Sequence, residues 1–186
     1  MPINIPNTLT MMRIILIPVL AVVFYLPVEN HLLVAAAIFG VAARTDWFDG
    51  YLARRRGPMT AFGAFLDPVA DKLMVSVALV LLVERHDTPL FTLAACVIIG
   101  REIVVSALRE WMAELGERTS VAVSYIGKVK TTLQMIAISL LIYREPLFGL
   151  PIFIIGELLL FVAAVLTLYS MIVYLRAAWP VLTDQE

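Results

Sequence analysis

Four aspartates stand close together in the segment Asp46-Trp-Phe-Asp49-Gly50-Tyr-Leu-Ala53-Arg54, which continues after Gly57-Pro58 as Gly63-Ala-Phe-Leu-Asp67-Pro-Val-Ala-Asp71. The first two aspartates are three residues apart and the last two are four apart, so each pair shares one face of a helix. Gly57-Pro58 interrupts a helix and lets the chain turn back. The pattern therefore predicts two antiparallel helices that bring four carboxylates together.

The 186-residue chain is unusually apolar, since 61% of its residues are hydrophobic against about 45–50% in soluble domains. Charged residues make up 16%, below the usual share of about 25%. Both values indicate a chain that folds in a lipid bilayer. The net charge of −1 gives no general attraction to nucleic acid, and a single cysteine cannot form an intrachain disulfide.

Six apolar runs divide the sequence, and they cover residues 14–28, 32–43, 73–83, 88–100, 131–143 and 146–175. Most contain 11 to 15 residues, fewer than the roughly 20 that a helix needs to cross the hydrocarbon layer. Each helix must therefore extend into neighbouring residues that carry charges. We predict an all-α integral membrane protein with six transmembrane helices, folded as a single domain over residues 1–186.

The distribution of basic residues predicts the orientation. If successive helices alternate in direction, all of the 14 Lys and Arg except Arg85 and Arg144 lie on the side that holds the four aspartates. Positively charged residues accumulate on the cytoplasmic side of membrane proteins. That side is therefore predicted to be cytoplasmic, with both termini there.

The aspartate cluster needs a cation. Two ionised carboxylates about 4 Å apart repel by roughly 4 kcal/mol at an effective dielectric constant of about 20. A cluster of oxygen ligands suits Mg²⁺ or Mn²⁺, whereas zinc is disfavoured because the two histidines, His31 and His86, are predicted at the opposite side. Two such ions can clamp a diphosphate for phosphoryl transfer.

The same segment carries a longer signature, D-x2-D-G-x2-A-R-x8-G-x3-D-x3-D, without a gap or substitution. Its fixed residues are Asp46, Asp49, Gly50, Ala53, Arg54, Gly63, Asp67 and Asp71. With this signature the chain resembles the CDP-alcohol phosphotransferase family, and the six-helix prediction extends the resemblance over nearly the whole chain. Four stretches resemble bacterial members that use sn-glycerol 3-phosphate; these are residues 4–10, 45–50, 62–72 and 100–103.

The resemblance implies that a phosphatidyl group moves from CDP-diacylglycerol to the 1-hydroxyl of sn-glycerol 3-phosphate, with release of CMP. It implies that two ions, Mg²⁺ or Mn²⁺, are bound by Asp46, Asp49, Asp67 and Asp71, and that Asp71 is also the general base. It implies a CDP-diacylglycerol site made of Asp49, Gly50, Ala53, Arg54, Thr60 and Gly63. It further implies a homodimer in the bacterial cytoplasmic membrane, with the active site facing the cytoplasm.

A phosphorylated acceptor calls for a second cationic pocket, and Arg101, Arg109 and Lys128 are the predicted contacts. Arg101 and Arg109 are eight residues apart and so share a helix face. Lys128 and Lys130 are only two apart and cannot easily face one pocket, so we expect Lys130 to reach the lipid headgroups instead. Pairing of Arg101 with Glu102 stays open as an alternative.

Other interpretations remain open at this point. A member of the same family with another acceptor, such as inositol phosphate, has the same donor chemistry and a similar cationic pocket. Gly50 and Gly63 can simply pack helices, and four aspartates can form a structural network. A divalent-cation transporter is disfavoured, because it needs polar groups across the whole bilayer and only Glu157 lies deep in the opposite half.

Overall fold

The structure, a computed structural model, describes residues 5–56, 61–114 and 125–183, and the chain forms six α-helices over these residues. The helices are α1 (Ile5–Tyr25), α2 (His31–Arg56), α3 (Ala61–Arg85), α4 (Pro89–Glu114), α5 (Tyr125–Tyr143) and α6 (Ile152–Thr183). Each apolar run lies mainly in a helix of its own. The predicted all-α class is confirmed for the described residues.

The helices continue beyond the apolar runs into charged sequence, as predicted from the shortness of the runs. α2 extends through the first two aspartates to Arg56, and α3 begins at Ala61, ahead of the other two. α4 extends to Glu114, past Arg101 and Arg109. The four aspartates of the signature, Arg101 and Arg109 therefore lie on helices rather than on loops.

The bundle has a shared core and an apolar exterior. α1 packs against α2 and α3, while α6 packs against α4 and α5, and contacts of α2 with α5 and of α3 with α4 join the two groups. Phe24, Phe39 and Ile98 are almost fully buried in the core. Large apolar side chains such as Ile15 and Val165 are more than 60% exposed on the outside. Such an exterior is typical of a surface that contacts lipid.

Three helices are long and apolar enough to cross a membrane, within Thr8–Tyr25, Pro89–Glu114 and Ile152–Trp179. α2 and α5 contribute shorter apolar segments, His31–Thr45 and Val129–Tyr143. The apolar length of α3 is interrupted by Asp67, Asp71 and Lys72. By length and composition the described helices thus give three candidate spans, and the remaining helices combine apolar segments with charged ones.

The end of the bundle away from the aspartates is closed by short turns. Arg144 has a φ of 63°, and its N–H donates to the Leu140 carbonyl at 2.9 Å, which ends α5 in a left-handed cap. Phe148 and Gly149 also have positive φ values, and the tight turn they form leads back into α6. α5 and α6 can therefore pack as antiparallel neighbours.

His86 lies at this end, as predicted. It is 15 residues beyond Asp71, about 22 Å along a helix. Its ring stacks on Phe91 and Phe153, with centroids 4.0 and 4.9 Å away, and its Nδ1 donates to the Leu82 carbonyl at 3.0 Å. Burial lowers the pKa of His86, which favours the neutral ring. Its packing is that of a structural histidine.

Candidate active site

Asp67 and Asp71 are joined by one buried cation. The Nη1 of Arg13, on α1, donates to Asp67 Oδ1 at 3.0 Å and to Asp71 Oδ1 at 2.5 Å. Thr10, one turn earlier on α1, also donates to Asp67 Oδ1, at 3.3 Å. The two carboxylates lie on the same face of α3, as their spacing predicts, and α1 supplies their counter-charge.

The three charged groups differ in their exposure. The Arg13 side chain is 1% exposed, whereas the side chains of Asp67 and Asp71 are 25% and 31% exposed. The guanidinium therefore neutralises the carboxylates from inside the bundle, and part of each carboxylate stays accessible.

Sequence reasoning assigned Arg13 only to the tally of cytoplasmic basic residues and missed its contacts. A signal was present, because Arg13 is the only charged residue in α1. A charge in an otherwise apolar membrane helix is costly and is by default a functional residue with a partner. Asp67 and Asp71 are the partners that the structure assigns to it.

The other residues of the signature are only partly described. α2 is helical through Asp46, Asp49, Gly50, Ala53 and Arg54, but their side chains lie outside the described part of the structure. Thr60 lies entirely outside the described residues. Gly63 is buried, one turn before Asp67 on α3. Whether all four aspartates converge therefore stays a prediction.

A second charged cluster joins α4 to α5. Glu102 Oε1 accepts hydrogen bonds from Lys130 Nζ at 2.9 Å and from Arg101 Nη1 at 3.1 Å. Arg101 Nη2 also donates to Ser170 Oγ on α6, at 3.3 Å. One carboxylate thus faces two buried cations, so the cluster has an excess positive charge. Arg101 Nε is buried and has no hydrogen-bond partner within the described part of the chain.

The position of Lys130 corrects the sequence prediction. Lys130 was expected at the lipid headgroups, but its side chain is only 3% exposed and is paired with Glu102. That expectation was wrong because helical spacing shows which residues share a face and not which neighbour the face meets. Arg101 does pair with Glu102, the alternative left open above. The Lys128 side chain lies outside the described part.

Arg109 lies on the same side of α4 as Arg101. Both arginines meet Tyr174 of α6, with guanidinium carbons 5.1 and 5.8 Å from the ring centroid for Arg109 and Arg101. Arg109 Nη2 also donates to the Tyr174 hydroxyl. The predicted shared face is thereby confirmed. Arg109 is exposed, whereas Arg101 is buried, so the pair runs from the bundle surface towards its interior.

A cavity of about 190 Å³ lies between the two charged clusters. It is bounded by α3, α4 and α5, and its lining includes Asp71 from the first cluster and Glu102 from the second. Lys72 and Gln134 also line it. The described residues thus place Asp71, a carboxylate of the signature, and Glu102, the carboxylate of the second cluster, around one small space.

The described donors fit a hard divalent cation. Asp67 and Asp71 offer the carboxylate oxygens that such a cation prefers, and one nitrogen of Arg13 contacts both, so the two carboxylates lie close together. Among the side chains that the structure describes, no three His, Cys, Asp or Glu residues form a metal-binding group. A complete metal site would therefore need Asp46 and Asp49, whose side chains are outside that part.

Comparison with known proteins identifies the class of protein to which this helical bundle and its aspartate signature belong. The family model described as CDP-alcohol phosphatidyltransferase matches residues 3–175. The chain belongs to the CDP-alcohol phosphatidyltransferase family. Members of this family generally depend on a divalent metal ion.

Relatives within the family are similar to the chain over its whole length. The chain is 57% identical over 185 residues to proteins named CDP-diacylglycerol–glycerol-3-phosphate 3-phosphatidyltransferase from Shigella flexneri, Salmonella choleraesuis and Escherichia coli K12. The alignments cover 100% of this chain and 100% of each relative. The similarity therefore extends over both charged clusters and over every helix.

The second cluster predicts a specific stability effect. Glu102→Gln keeps the shape of the side chain but leaves two buried cations without a counter-charge, which costs up to about 3 kcal/mol. We expect a lower thermal midpoint in detergent, and partial recovery when Lys130→Met is added. Glu110→Gln, at an exposed position of the same helix, is the control and should leave the midpoint unchanged. A Glu102→Gln variant as stable as the parent would contradict the ion pairing.

Proposed function

We propose that the protein transfers the phosphatidyl group of CDP-diacylglycerol to sn-glycerol 3-phosphate, giving phosphatidylglycerophosphate and CMP. The observation that carries the proposal is the cavity that Asp71 lines from α3 and Glu102 lines from α4, where Glu102 is paired with the buried Arg101 and Lys130. Full-length identity of 57% to enzymes named for this reaction supports the choice of both substrates.

The reaction is a displacement at one phosphorus. The 1-hydroxyl oxygen of the acceptor forms a bond to the phosphorus that bears the diacylglycerol. The bond from that phosphorus to the bridging oxygen breaks, and CMP leaves with this oxygen and the electron pair. Asp71 takes the hydroxyl proton as general base. Its place on the cavity wall, with a partly exposed carboxylate, supports that role.

Asp46, Asp49, Asp67 and Asp71 would hold two divalent ions, Mg²⁺ or Mn²⁺. When bound, such ions neutralise charge on the diphosphate and polarise the attacking hydroxyl. Arg13 keeps Asp67 and Asp71 together from the buried side and so fixes the spacing of the two carboxylates. The oxygen-only donor set supports this choice of ions.

The donor lipid would bind beside α2 and the start of α3. Asp49, Gly50, Ala53, Arg54, Thr60 and Gly63 form this site by the family signature. The planar fork of Arg54 suits two oxygens of the diphosphate. The exposed apolar exterior of the bundle would accommodate the acyl chains, so that the donor stays in the bilayer during transfer.

The phosphate of the acceptor would bind at Arg101, Arg109 and Lys128. The buried Lys130 would contribute positive charge from the interior of the bundle. The excess positive charge of the Glu102 cluster and the exposed Arg109 together support this assignment, since they would balance a phosphate dianion. Arg101 Nε, which has no hydrogen-bond partner among the described residues, supports it too, because a buried donor needs an acceptor. The exposed Arg109 would meet the anion first.

The whole chain, residues 1–186, would form one domain with six transmembrane helices in the bacterial inner membrane. Both termini and the active site would face the cytoplasm, in keeping with the distribution of basic residues. The family resemblance supports a homodimer. The water-soluble acceptor would thus enter from the cytoplasm while the donor arrives through the lipid.

The aspartates provide the first test. Asp67→Asn and Asp71→Asn should each lower turnover by about 100-fold or more, because they remove a charged ligand or the base. CMP release from CDP-diacylglycerol measures turnover, and monodispersity with the thermal midpoint measures folding. Asp87→Asn, in the turn between α3 and α4, is the control. Loss of folded protein in place of turnover would favour a structural salt-bridge network.

Arg109 provides the second test. Arg109→Ala should raise the KM for sn-glycerol 3-phosphate by about 10-fold, the effect of losing one charged hydrogen bond, and leave the KM for CDP-diacylglycerol nearly unchanged. Arg176→Ala is the control, because Arg176 is exposed like Arg109 but lies on α6. Equal changes in both Michaelis constants would remove Arg109 from the acceptor site. Inositol phosphate and serine, offered in parallel, test the choice of acceptor.

A further inference from the structure

Gln134 is a buried polar residue that the family signature does not include. It lies on α5, its side chain is among the few buried polar ones with only 3% exposure, and it lines the cavity between the two clusters. Its Oε1 is buried and has no hydrogen-bond partner within the described part of the chain. A buried amide oxygen of this kind is rarely left without a donor, so a ligand is expected to supply one.

The position of Gln134 along α5 relates it to both clusters. It follows Lys130 by four residues, so the two side chains share a face and start about 6 Å apart along the helix. Lys130 belongs to the cluster that would bind the phosphate of the acceptor, and Asp71 on the facing wall would take the hydroxyl proton. Gln134 therefore lies beside the path between the two ends of the acceptor.

The size and chemistry of the cavity limit what Gln134 can bind there. About 190 Å³ is below the roughly 300–1,000 Å³ of pockets for drug-sized ligands, so the cavity suits a short polyol phosphate better than a nucleotide. A neutral amide among charged neighbours suits a neutral hydroxyl, because a hydroxyl both donates and accepts hydrogen bonds and the amide offers both roles. An acceptor phosphate or carboxylate would go to the cations instead.

We propose that Gln134 recognises the middle hydroxyl of the acceptor, the one on the carbon between the phosphate-bearing carbon and the attacking hydroxyl. The inference rests on the proposed function and goes beyond it by naming the residue that distinguishes a three-carbon polyol phosphate from its deoxy analogue. Gln134 acts by holding the acceptor chain in position, so that its terminal hydroxyl points towards Asp71.

The test compares two acceptors, sn-glycerol 3-phosphate and 3-hydroxypropyl phosphate, which lacks the middle hydroxyl. The parent protein should prefer the first by about 10-fold or more in kcat/KM, the effect expected from one buried hydrogen bond. Gln134→Met keeps the length of the side chain without its polar atoms. It should lose about 10-fold on sn-glycerol 3-phosphate and little on the analogue, so that the preference disappears.

Two further variants keep the result interpretable. Gln134→Glu still accepts a hydrogen bond from a hydroxyl and should keep the preference between acceptors even if its added charge lowers both rates. Thr131→Val is the matched control, because Thr131 lines the same cavity but its hydroxyl donates to the Gly127 carbonyl at 3.0 Å. Its preference should equal that of the parent.

The outcomes separate three cases. An unchanged preference in Gln134→Met, or an equal loss on both acceptors, would overturn the assignment and leave Gln134 a structural residue. If Gln134→Met does not fold, loss of the preference in Gln134→Glu overturns it instead. If the parent protein transfers the phosphatidyl group to neither acceptor, the proposed function itself is overturned. CMP release with inositol phosphate or serine would then identify a different acceptor.

Discussion

The contact of Arg13 with Asp67 and Asp71 is the constraint on which the rest of the structure depends. Charges inside a membrane-embedded bundle are unfavourable unless they are paired, and here one guanidinium on α1 meets two carboxylates on α3. The pairing holds α1 against α3 and keeps the two carboxylates close. The arginine is buried, whereas the carboxylates of Asp67 and Asp71 are partly exposed.

Among the described side chains, one charged cluster has more carboxylates than cations and the other has more cations than carboxylates. Two carboxylates share Arg13 in the first cluster, whereas Arg101 and Lys130 share Glu102 in the second. A small cavity separates the clusters, and its walls bring Asp71 and Glu102 within one space. This division provides a physical basis for the proposed reaction: cations assemble at one end, an anionic acceptor binds at the other, and the attacking hydroxyl lies between.

The sequence predicted the helices well because apolar runs and charged ends follow directly from composition. It also predicted the shared faces of Asp67 with Asp71 and of Arg101 with Arg109, since helical spacing determines both. It was wrong for Lys130 and missed Arg13, because their roles depend on which helices pack together. Among the described residues three helices qualify as spans by length and composition, and α3 does not because it contains Asp67, Asp71 and Lys72. The meeting of all four aspartates stays a prediction.

Metal dependence is the most direct test of the proposed chemistry. Purified protein in detergent is freed of divalent ions by exhaustive chelation and then assayed for CMP release from CDP-diacylglycerol and sn-glycerol 3-phosphate. We expect loss of activity at an unchanged or only slightly lowered thermal midpoint, and recovery of activity when Mg²⁺ or Mn²⁺ is returned. Undiminished CMP release from the metal-free protein would contradict it.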